Sequence, residues 1–531
     1  MRPPPIAVLA LVCLTAMAGC LTALDPQATG ASAGEDTDRE RRELTFAPGP
    51  GPTDRRQVTD TLTVPDRAEG LAFGYELTLD DAGEVEAWLT TPDDDEIQLT
   101  QTRTMQATTL ADTVLLEPHP GEWTIHVDTS APGQLAVNLT IQPGAPSFDA
   151  VDPTGRDRPV VAVVDTGVNP YHEVFRSADL ATSELPERVH GEDDATVLQV
   201  PVTPEATYRA SLAADAGLWA NVPDERLVHF AGTNLLGYQL DGTELPQAPV
   251  LDQSGHGTGV SHAVTRDASR ALVVMVTGAD YDEGVEWAAQ QEWIDVISLS
   301  WGPVVNAAGT AEPYVSGFQT PDVTRMAHDN GKLVVAASGN DPTATVTDTT
   351  TGPPWVHAVS GAQPNTTARA AMSGNLVDTV ANWTQTLADH ESRNDTGQAS
   401  GTSFATPTTA GIAAHVLDHV RQASDHEGPR DDGVLARTDD GPITNTQLRS
   451  ALNRSAVYWN TTDYGGPSDP GPSVPVAPTP WVSMGWGYLD GSRVPVAVDA
   501  LLGDAVPDKP AEAEAWMNGH QRARETYWAS R

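Results

Sequence analysis

Six consecutive apolar residues, PVVAVV at positions 159–164, stand directly before Asp165. A strand with one face in solvent alternates apolar and polar residues, whereas this run is apolar throughout and largely β-branched. It therefore predicts a strand buried on both faces, as in a parallel sheet covered by helices. Asp165 would lie at the carboxyl end of that strand, where open α/β sheets form their sites. An Asp in this position is more often a turn or helix-cap residue, so this motif alone assigns no role.

A second motif, DQSGHGTGV at positions 252–260, places His256 between two glycines. Glycine lets the backbone pass close to its neighbours and leaves the imidazole uncovered. The small residues after this motif are typical of the start of a helix. A single histidine among the fourteen of this chain is more often structural than catalytic. The Gly-His-Gly-Thr run around His256 is the rarer feature.

The third motif is ASGTSFATP at positions 399–407, which continues into an Ala-rich stretch with helical spacing. Ser403 is therefore predicted at or just before a helix N-terminus, where backbone N–H groups point outward and the helix dipole favours negative charge. Serine is also a common N-cap residue. The N-cap interpretation explains neither the residues that flank Ser403 nor the other two motifs.

Together these motifs resemble the subtilisin family of serine peptidases over residues 159–501. The resemblance implies a mostly parallel α/β sheet flanked by helices, with Asp165, His256 and Ser403 as the catalytic residues in the family's chain order. In this chemistry His256 takes the proton of the Ser403 hydroxyl, and Asp165 holds the imidazole and stabilises the imidazolium. The implied activity is that of a serine endopeptidase acting on proteins or peptides through an acyl-enzyme.

Three further segments extend the resemblance. The segment KLVVAASGN (332–340) is similar to the family strand that ends in the oxyanion-hole residue, here Asn340. The segment GWGYLD (485–490) resembles the one that closes the catalytic domain. The segment DVISLSWG (295–302) is similar to the strand and loop that line the specificity pocket. Its implied substrate-binding residues are Ser300, Trp301 and Gly302.

No metal or organic cofactor is needed for this chemistry. Calcium sites are frequent in the family, but no ordered Asp/Asn loop stands out, so we assign no metal ligand. The 91 positions between Asp165 and His256 exceed the spacing in compact relatives and predict an insertion at 177–249 near the substrate cleft. That insertion is compatible with a processing peptidase of narrow specificity. A non-catalytic binding lipoprotein on a decayed peptidase fold is the other alternative, disfavoured because all the chemical groups are retained.

Before the predicted catalytic domain (150–505), residues 44–145 alternate apolar and polar positions in short segments separated by turn residues. This pattern predicts an antiparallel sandwich, and the segment PHPGEW (118–123) loosely resembles jelly-roll domains attached to secreted peptidases. Substrate or surface binding, help in folding, and a spacer role are all compatible with it. No ferredoxin-like inhibitory propeptide is evident. Residues 506–531 predict a short exposed helix or a frayed tail.

The formal net charge is −43, and the only lysines are Lys332 and Lys509. Such a balance argues against binding nucleic acid or an anionic membrane surface through a basic patch. A surface kept hydrated in a salty medium and an ordinary acidic secreted protein are both compatible with it. Neither oligomeric state nor the residue preferred at the cleaved bond follows from the sequence.

Residues 1–20 contain an apolar run that is too short to span a bilayer but suits a signal peptide. The run ends in Met-Ala-Gly-Cys, which resembles a lipoprotein processing box with Cys20 as the lipidated residue. The alternative is ordinary signal cleavage near Ala18 and release. Residues 21–43 are polar and predict a flexible tether, so we expect an extracytoplasmic, lipid-anchored or secreted protein. Because Cys13 and Cys20 are the only cysteines, the globular part has no disulfide.

Overall fold

The computed structural model describes residues 38–46, 55–65, 68–104, 106–116, 119–143, 149–150, 158–176, 197–200, 202, 204–215, 219, 226–240, 252, 254–278, 280–301, 319–340, 349–362, 377–423, 433–439, 441–458, 480–504 and 506–529. The predictions for the signal segment, for Cys20, for Gly302 and for much of the insertion lie outside these residues.

The N-terminal part contains two four-stranded antiparallel sheets that enclose one apolar core. The first sheet has the order β1-β8-β3-β6 and the second β2-β7-β4-β5. This interleaving of early and late strands is the topology of a jelly roll, and it confirms the predicted sandwich. The strands are β1 (Asp38–Phe46), β2 (Arg56–Val64), β3 (Ala68–Leu79), β4 (Gly83–Thr90), β5 (Glu96–Thr104), β6 (Thr108–Leu116), β7 (Gly121–Thr129) and β8 (Gly133–Pro143).

Strand β1 corrects the predicted end of the tether. It begins at Asp38 rather than near Leu44, and it pairs along its whole length with β8, from Asp38 opposite Ile141 to Phe46 opposite Gly133. The sequence DRERRE at its start shows no apolar alternation because this strand lies at the edge of its sheet, where charged residues are common. These residues join the sandwich through backbone pairing with β8, and backbone pairing does not require a particular pattern of side chains.

The second part is built on a ten-stranded sheet of order β18-β17-β16-β15-β10-β14-β13-β12-β11-β9. The pairs from β18 to β13 are all parallel, whereas β12 with β13 and β9 with β11 are antiparallel. The sheet strands are β9 (Asp149–Ala150), β10 (Val160–Val164), β11 (Leu198–Val200), β12 (Val228–Phe230), β13 (Leu235–Gln239), β14 (Leu272–Thr277), β15 (Val296–Leu299), β16 (Leu333–Ala337), β17 (Val356–Ala362) and β18 (Thr379–Asn382). Two hairpins accompany it, made of β19 (Thr384–Ala388) with β20 (Thr396–Ser400) and of β21 (Val434–Thr438) with β22 (Gly441–Thr444).

Helices cover both faces of this sheet. The helices of the described chain are α1 (Tyr208–Ala214), α2 (His256–Asp267), α3 (Tyr281–Gln290), α4 (Thr320–Asp329), α5 (Thr402–Ala423), α6 (Asn445–Ser455), α7 (Trp481–Met484), α8 (Val494–Leu501) and α9 (Ala511–Trp528). The two faces are covered by α2 and α5 on one side and by α3 and α4 on the other. In the fully buried strand β10, Val161 and Val163 share an apolar cluster with residues of α2 and α5, whereas Val160, Ala162 and Val164 share one with residues of α3 and α4. The predicted strand is therefore confirmed, and its lack of polar residues follows from having a core on each side.

Helix α1, which lies within the predicted insertion, contacts strands β3 and β6 of the sandwich. The cluster that contains Tyr208 and Leu212 of α1 also contains Ala72 of β3, which is 1% exposed. Tyr171, six residues after Asp165, belongs to the same cluster. The sandwich thus shares buried apolar surface with the sheet that carries Asp165.

The C-terminal helix α9 differs from the predicted exposed or frayed tail. It runs for 18 residues and buries Ala513, Met517, Arg524 and Trp528. These positions recur at close to the helical period and so form one face. The sequence pattern did not reveal this buried face, because the buried Arg524 interrupts its series of apolar residues. Among the described residues, no helix is long and apolar enough to cross a bilayer.

Candidate active site

The chemistry-bearing side chains predicted from the sequence lie at the carboxyl ends of neighbouring strands. Asp165 directly follows β10, and Ser300 and Trp301 directly follow β15. Asn340 follows the end of β16 by three residues. His256 is the first residue of α2, and Ser403 is the second of α5. Parallel strands end at the same edge of a sheet, so residues distant in sequence become neighbours there.

Asp165 and His256 form a direct pair. The imidazole Nδ1 lies 2.8 Å from Oδ1 and 3.0 Å from Oδ2 of the carboxylate. Asp165 is 3% exposed, and its Oδ1 also accepts a hydrogen bond from the Thr166 backbone N–H at 2.8 Å. Because a carboxylate only accepts hydrogen bonds, Nδ1 must carry the proton, which leaves Nε2 as the basic nitrogen.

Two opposing effects set the protonation of His256. Burial disfavours the charged imidazolium, but the charge of Asp165 and its hydrogen bond outweigh burial and raise the pKa of His256 to about 8. The more distant carboxylate of Asp252 acts in the same direction. The imidazole is thereby a stronger base than a free histidine.

Ser403 and Ser300 exchange hydrogen bonds. The Ser403 hydroxyl donates to the Ser300 carbonyl oxygen at 3.1 Å, and the Ser300 hydroxyl donates to the Ser403 carbonyl oxygen at 2.8 Å. Within the described part of the chain no hydrogen bond joins His256 to Ser403. The aromatic ring of Phe404 lies 5.6 Å from the imidazole, centroid to centroid, so the start of α5 stands beside His256. Catalytic hydrogen bonds are often formed only with substrate present.

Asn340 is held by its amide oxygen. Oδ1 accepts hydrogen bonds from the Thr402 backbone N–H at 3.0 Å and from the Thr402 hydroxyl at 2.9 Å. Two donors on one side-chain atom fix the orientation of the amide, since only its oxygen can accept both. The NH₂ group therefore remains for another acceptor. The neighbouring Ser403 N–H lies in the first turn of α5, where backbone donors have no intrahelical partner.

Asp252 was part of a quoted motif, but we assigned it no role from the sequence. It is 1% exposed, and its Oδ1 accepts from the Thr166 hydroxyl at 2.8 Å and from the Gly255 N–H at 2.9 Å. Its Oδ2 accepts from the Thr258 N–H at 2.7 Å. One carboxylate thus joins the residue after Asp165 to the first turn of the helix that begins at His256. Its place in the motif, four residues before the histidine, was the only available signal.

Tyr281 is a second residue that the motifs did not identify. Its ring stacks on that of Trp301 with the centroids 5.3 Å apart and the planes at 24°. Burial and the charges of Asp165 and Asp252 raise its pKa to about 12, so the phenol is neutral near the acidic side chains. Ser300 is buried and Trp301 is partly buried. In the described residues no group of three or more His, Cys, Asp or Glu side chains is arranged to hold a metal ion.

A model of the subtilase family matches residues 156–473, more than half of the chain. A comparison with curated proteins finds no match. Among solved structures, the prenylagaramide maturation protease PagA is 18% identical, with 65% of this chain and 95% of that chain covered and a TM-score of 0.38. A cold adapted subtilisin-like serine proteinase is 20% identical, with 60% and 89% covered and a TM-score of 0.34. A lanthipeptide protease is 15% identical, with 64% and 88% covered and a TM-score of 0.38.

Proposed function

The chain belongs to the subtilase family of serine peptidases, and on that premise we propose that it hydrolyses internal peptide bonds of extracytoplasmic proteins with Asp165, His256 and Ser403 as its triad. The observation that carries the proposal is the contact of Asp165 with His256 at 2.8 Å, beside the helix start that holds Ser403. A serine hydroxyl is a weak nucleophile and needs a base within hydrogen-bond reach.

The first step is attack by Ser403 on the carbonyl carbon of the substrate. The hydroxyl turns from the Ser300 carbonyl toward Nε2 of His256, which takes its proton as the Oγ–C bond forms. The imidazolium then donates this proton to the leaving amine as the peptide bond breaks, and an acyl-enzyme remains. Water activated by the same imidazole cleaves the ester and regenerates Ser403.

The oxyanion formed at each step needs donors in place beforehand. The Asn340 amide NH₂ and the Ser403 backbone N–H supply them, because Thr402 holds the Asn340 oxygen and the start of α5 leaves the Ser403 N–H free of the helix. Loss of the side-chain donor should lower turnover by about 10²–10³-fold, a figure measured on a subtilisin and carried over here.

The extracytoplasmic location rests on the N-terminal sequence. An apolar segment that ends in Met-Ala-Gly-Cys supports export and lipidation at Cys20, and the net charge of −43 suits a hydrated external surface. Substitution Cys20→Ala should move the protein from the membrane fraction to the soluble fraction after cell lysis. If the unsubstituted protein is found in the soluble fraction and mass spectrometry detects no lipid on it, the alternative of signal cleavage without a lipid anchor is correct.

The activity is tested by comparing the purified full chain with its Ser403→Ala variant on casein and on a fluorophosphonate probe. The proposal expects the parent alone to cleave casein and to be labelled at Ser403. Labelling without casein cleavage would indicate a narrow processing peptidase, which the long interval between Asp165 and His256 favours. A folded parent that neither cleaves nor labels would contradict the assigned triad.

A further inference from the structure

Two histidines lie one turn apart on helix α5. His415 and His419 are four residues apart, and their imidazole rings stack with the centroids 4.9 Å apart and the planes at 26°. Residues at this spacing lie on the same face of a helix. His415 is partly buried and His419 is exposed, so the pair is accessible from solvent. Neither histidine belongs to the three motifs that define the proposed triad.

The imidazole nitrogens of this pair have no partner in the described part of the chain. Nδ1 of His415 is buried there without a hydrogen bond, and the one contact of His419 is the ring of His415. Asp418 lies between the two histidines in sequence, but its carboxylate is directed elsewhere. It accepts from Nε of Arg270 at 3.2 Å and from Nε2 of Gln422 at 2.8 Å. Nothing in the described chain therefore competes for the two imidazoles.

The surroundings of the pair are acidic. Asp267, at the end of α2, lies over the turn of α5 before His415, because a Cβ on Gly411 would lie 3.3 Å from the Cβ of Asp267. Burial and the charge of Asp490 raise the pKa of Asp267, and the charges of Arg266 and His415 lower it. Two carboxyl groups thus lie within electrostatic reach of His415. A chain with a net charge of −43 also attracts cations to its surface.

We propose that His415 and His419 chelate one divalent transition-metal ion, Zn²⁺ or Cu²⁺. Imidazole nitrogen is a preferred ligand of these ions, whereas Ca²⁺ and Mg²⁺ take oxygen ligands. Histidines at positions i and i+4 of one helix face bind Zn²⁺ in the helices of metalloproteases. One nitrogen of each ring would lie about 2.0–2.1 Å from the ion, with water at the remaining positions. Rotation of the exposed His419 side chain converts the stacked pair into a chelate.

A bound ion would act on α5 as a clip across one turn. This helix begins at Thr402 and has Ser403 as its second residue. His415 follows Ser403 by three helical turns, which is about 18 Å along the axis at 1.5 Å per residue. The ion would therefore stabilise α5 by mass action without touching the reacting groups. The inference does not depend on the proposed triad.

The test is isothermal titration calorimetry of the full chain with ZnCl₂, with Ser403→Ala in every sample to prevent self-cleavage. We expect one Zn²⁺ ion to bind at the histidine pair, and an excess of CaCl₂ should not displace it. His415→Gln and His419→Gln should each weaken this binding at least tenfold, because even outer-shell partners of a metal ligand contribute about 10–100-fold in affinity. If His415→Gln does not fold, His419→Gln decides alone, since His419 is exposed.

Copper provides a spectroscopic signature of the same site. Electron paramagnetic resonance of the Cu²⁺-loaded chain should show hyperfine coupling to two imidazole nitrogens. In His419→Gln the coupling of the second nitrogen should disappear. Coupling to a single nitrogen in the unsubstituted chain would contradict a two-histidine chelate.

Two control variants separate chelation from other effects. His419→Phe keeps an aromatic ring that can stack on His415 but has no nitrogen ligand. It should melt as the unsubstituted chain does without metal, and it should lose the zinc binding. His328→Gln removes a histidine of α4 that has no second histidine four residues away, and it should keep the zinc affinity.

Three results would overturn the inference. The first is a chain that binds no Zn²⁺ before substitution. The second is a zinc affinity of His419→Phe close to that of the unsubstituted chain, which would show that His419 is not a ligand. The third is an equal loss of zinc affinity in His328→Gln and His419→Gln, which would show binding without a specific site.

Discussion

His256 determines the pH range in which the proposed triad can work. The carboxylate of Asp165 raises the pKa of this imidazole to about 8 against the opposing effect of burial. The same contact at 2.8 Å fixes the tautomer with Nε2 free to accept a proton. A single interaction thus makes the base stronger and keeps it protonated over more of the neutral range.

We expect kcat/KM of the full chain to rise as pH increases through about 8 and to level off above it. Only neutral His256 can accept the Ser403 proton, and the neutral fraction grows as pH passes the pKa of the imidazole. Initial rates on a peptide substrate between pH 5 and 10 measure this. In Asp165→Asn the pH midpoint should fall, and turnover should drop by about 10⁴-fold because the tautomer is no longer fixed. A midpoint that stays near 8 in the variant would contradict the assigned cause.

At the scale of elements, the first turn of α2 is held from outside the helix. Its N-cap, Gly255, has φ 74° and offers no side chain to the backbone. A Cβ at that position would lie 2.4 Å from Nδ1 of His390, so no larger residue fits without movement. Asp252 takes the place of a cap by accepting from Gly255 and Thr258, and it also binds Thr166 after β10. Strand end and helix start are therefore joined by one buried carboxylate.

Asp252→Ala should lower the free energy of unfolding by about 1–3 kcal/mol, because it leaves buried N–H and O–H donors without an acceptor. It should also lower kcat more than it raises KM, since the positions of Asp165 and His256 depend on the same contacts. Urea unfolding in the Ser403→Ala background measures the first effect, and steady-state kinetics in the active enzyme measures the second. Asp329→Ala, a substitution at an exposed position, serves as the control. Equal losses of stability and of kcat in the two variants would argue against a positioning role for Asp252.

The individual strands and helices also show which features of the fold can be predicted from the sequence and which cannot. The fold class was predicted because strand β10 is apolar on both faces and the sandwich strands alternate, and both patterns are local. Strand β1 was partly missed because it is defined by pairing with β8, about 100 residues later. Tyr281 and Arg524 were missed for the same reason: their surroundings come from distant segments. The roles of Asp165, His256, Asn340 and Ser403 came from motifs and stay predictions.

At the scale of the whole molecule, the jelly roll and the catalytic sheet share a buried cluster. Ala72 of β3 lies in this cluster with Tyr208 and Leu212 of α1, and Tyr171 links the cluster to the chain after Asp165. A spacer would not need such a contact. The shared burial favours the interpretation that the sandwich supports the folded catalytic part.

Ala72→Arg should lower the Tm of the catalytic part together with that of the sandwich, since a long charged side chain cannot fit at a position 1% exposed. The loss of peptidase rate at 40 °C should follow the loss of stability. Glu76→Arg, an exposed substitution on the same face of the same strand, should leave both quantities near those of the parent. Separate melting of the two parts, with only the sandwich shifted, would contradict the supporting role.

The negative net charge affects the stability of the whole molecule. There are 73 acidic residues against 30 Lys and Arg. The ammonium groups of Lys332 and Lys509 donate to backbone carbonyls at 3.3 Å from Glu292 and 2.9 Å from Trp486. Arginine therefore supplies the cations of the surface, and unbalanced carboxylates repel one another in the compact state.

Raising NaCl from 0.1 to 1 M should raise Tm, because the screening length falls from about 10 Å to about 3 Å. The measurement is thermal melting of the Ser403→Ala protein. An uncharged osmolyte at matched osmolality gives the part of the shift that is not electrostatic. A flat or falling Tm across this range of salt would indicate that self-repulsion contributes little to stability.

Arg524 of helix α9 is buried, and its guanidinium donates hydrogen bonds to the backbone carbonyl oxygens of Thr351, Gly352, Pro353 and Val356, as a bound cation would accept them as ligands. These contacts have a consequence for how the protein tolerates its surroundings. A dissociable ion stabilises a fold only in proportion to the logarithm of its concentration, so dilution or a chelator removes the benefit. A guanidinium that is part of the chain cannot be diluted away, and its local concentration is set by the geometry of α9 alone. The turn before β17 should therefore keep its shape in chelating media that strip ions from proteins. That independence ends only when helix α9 itself detaches.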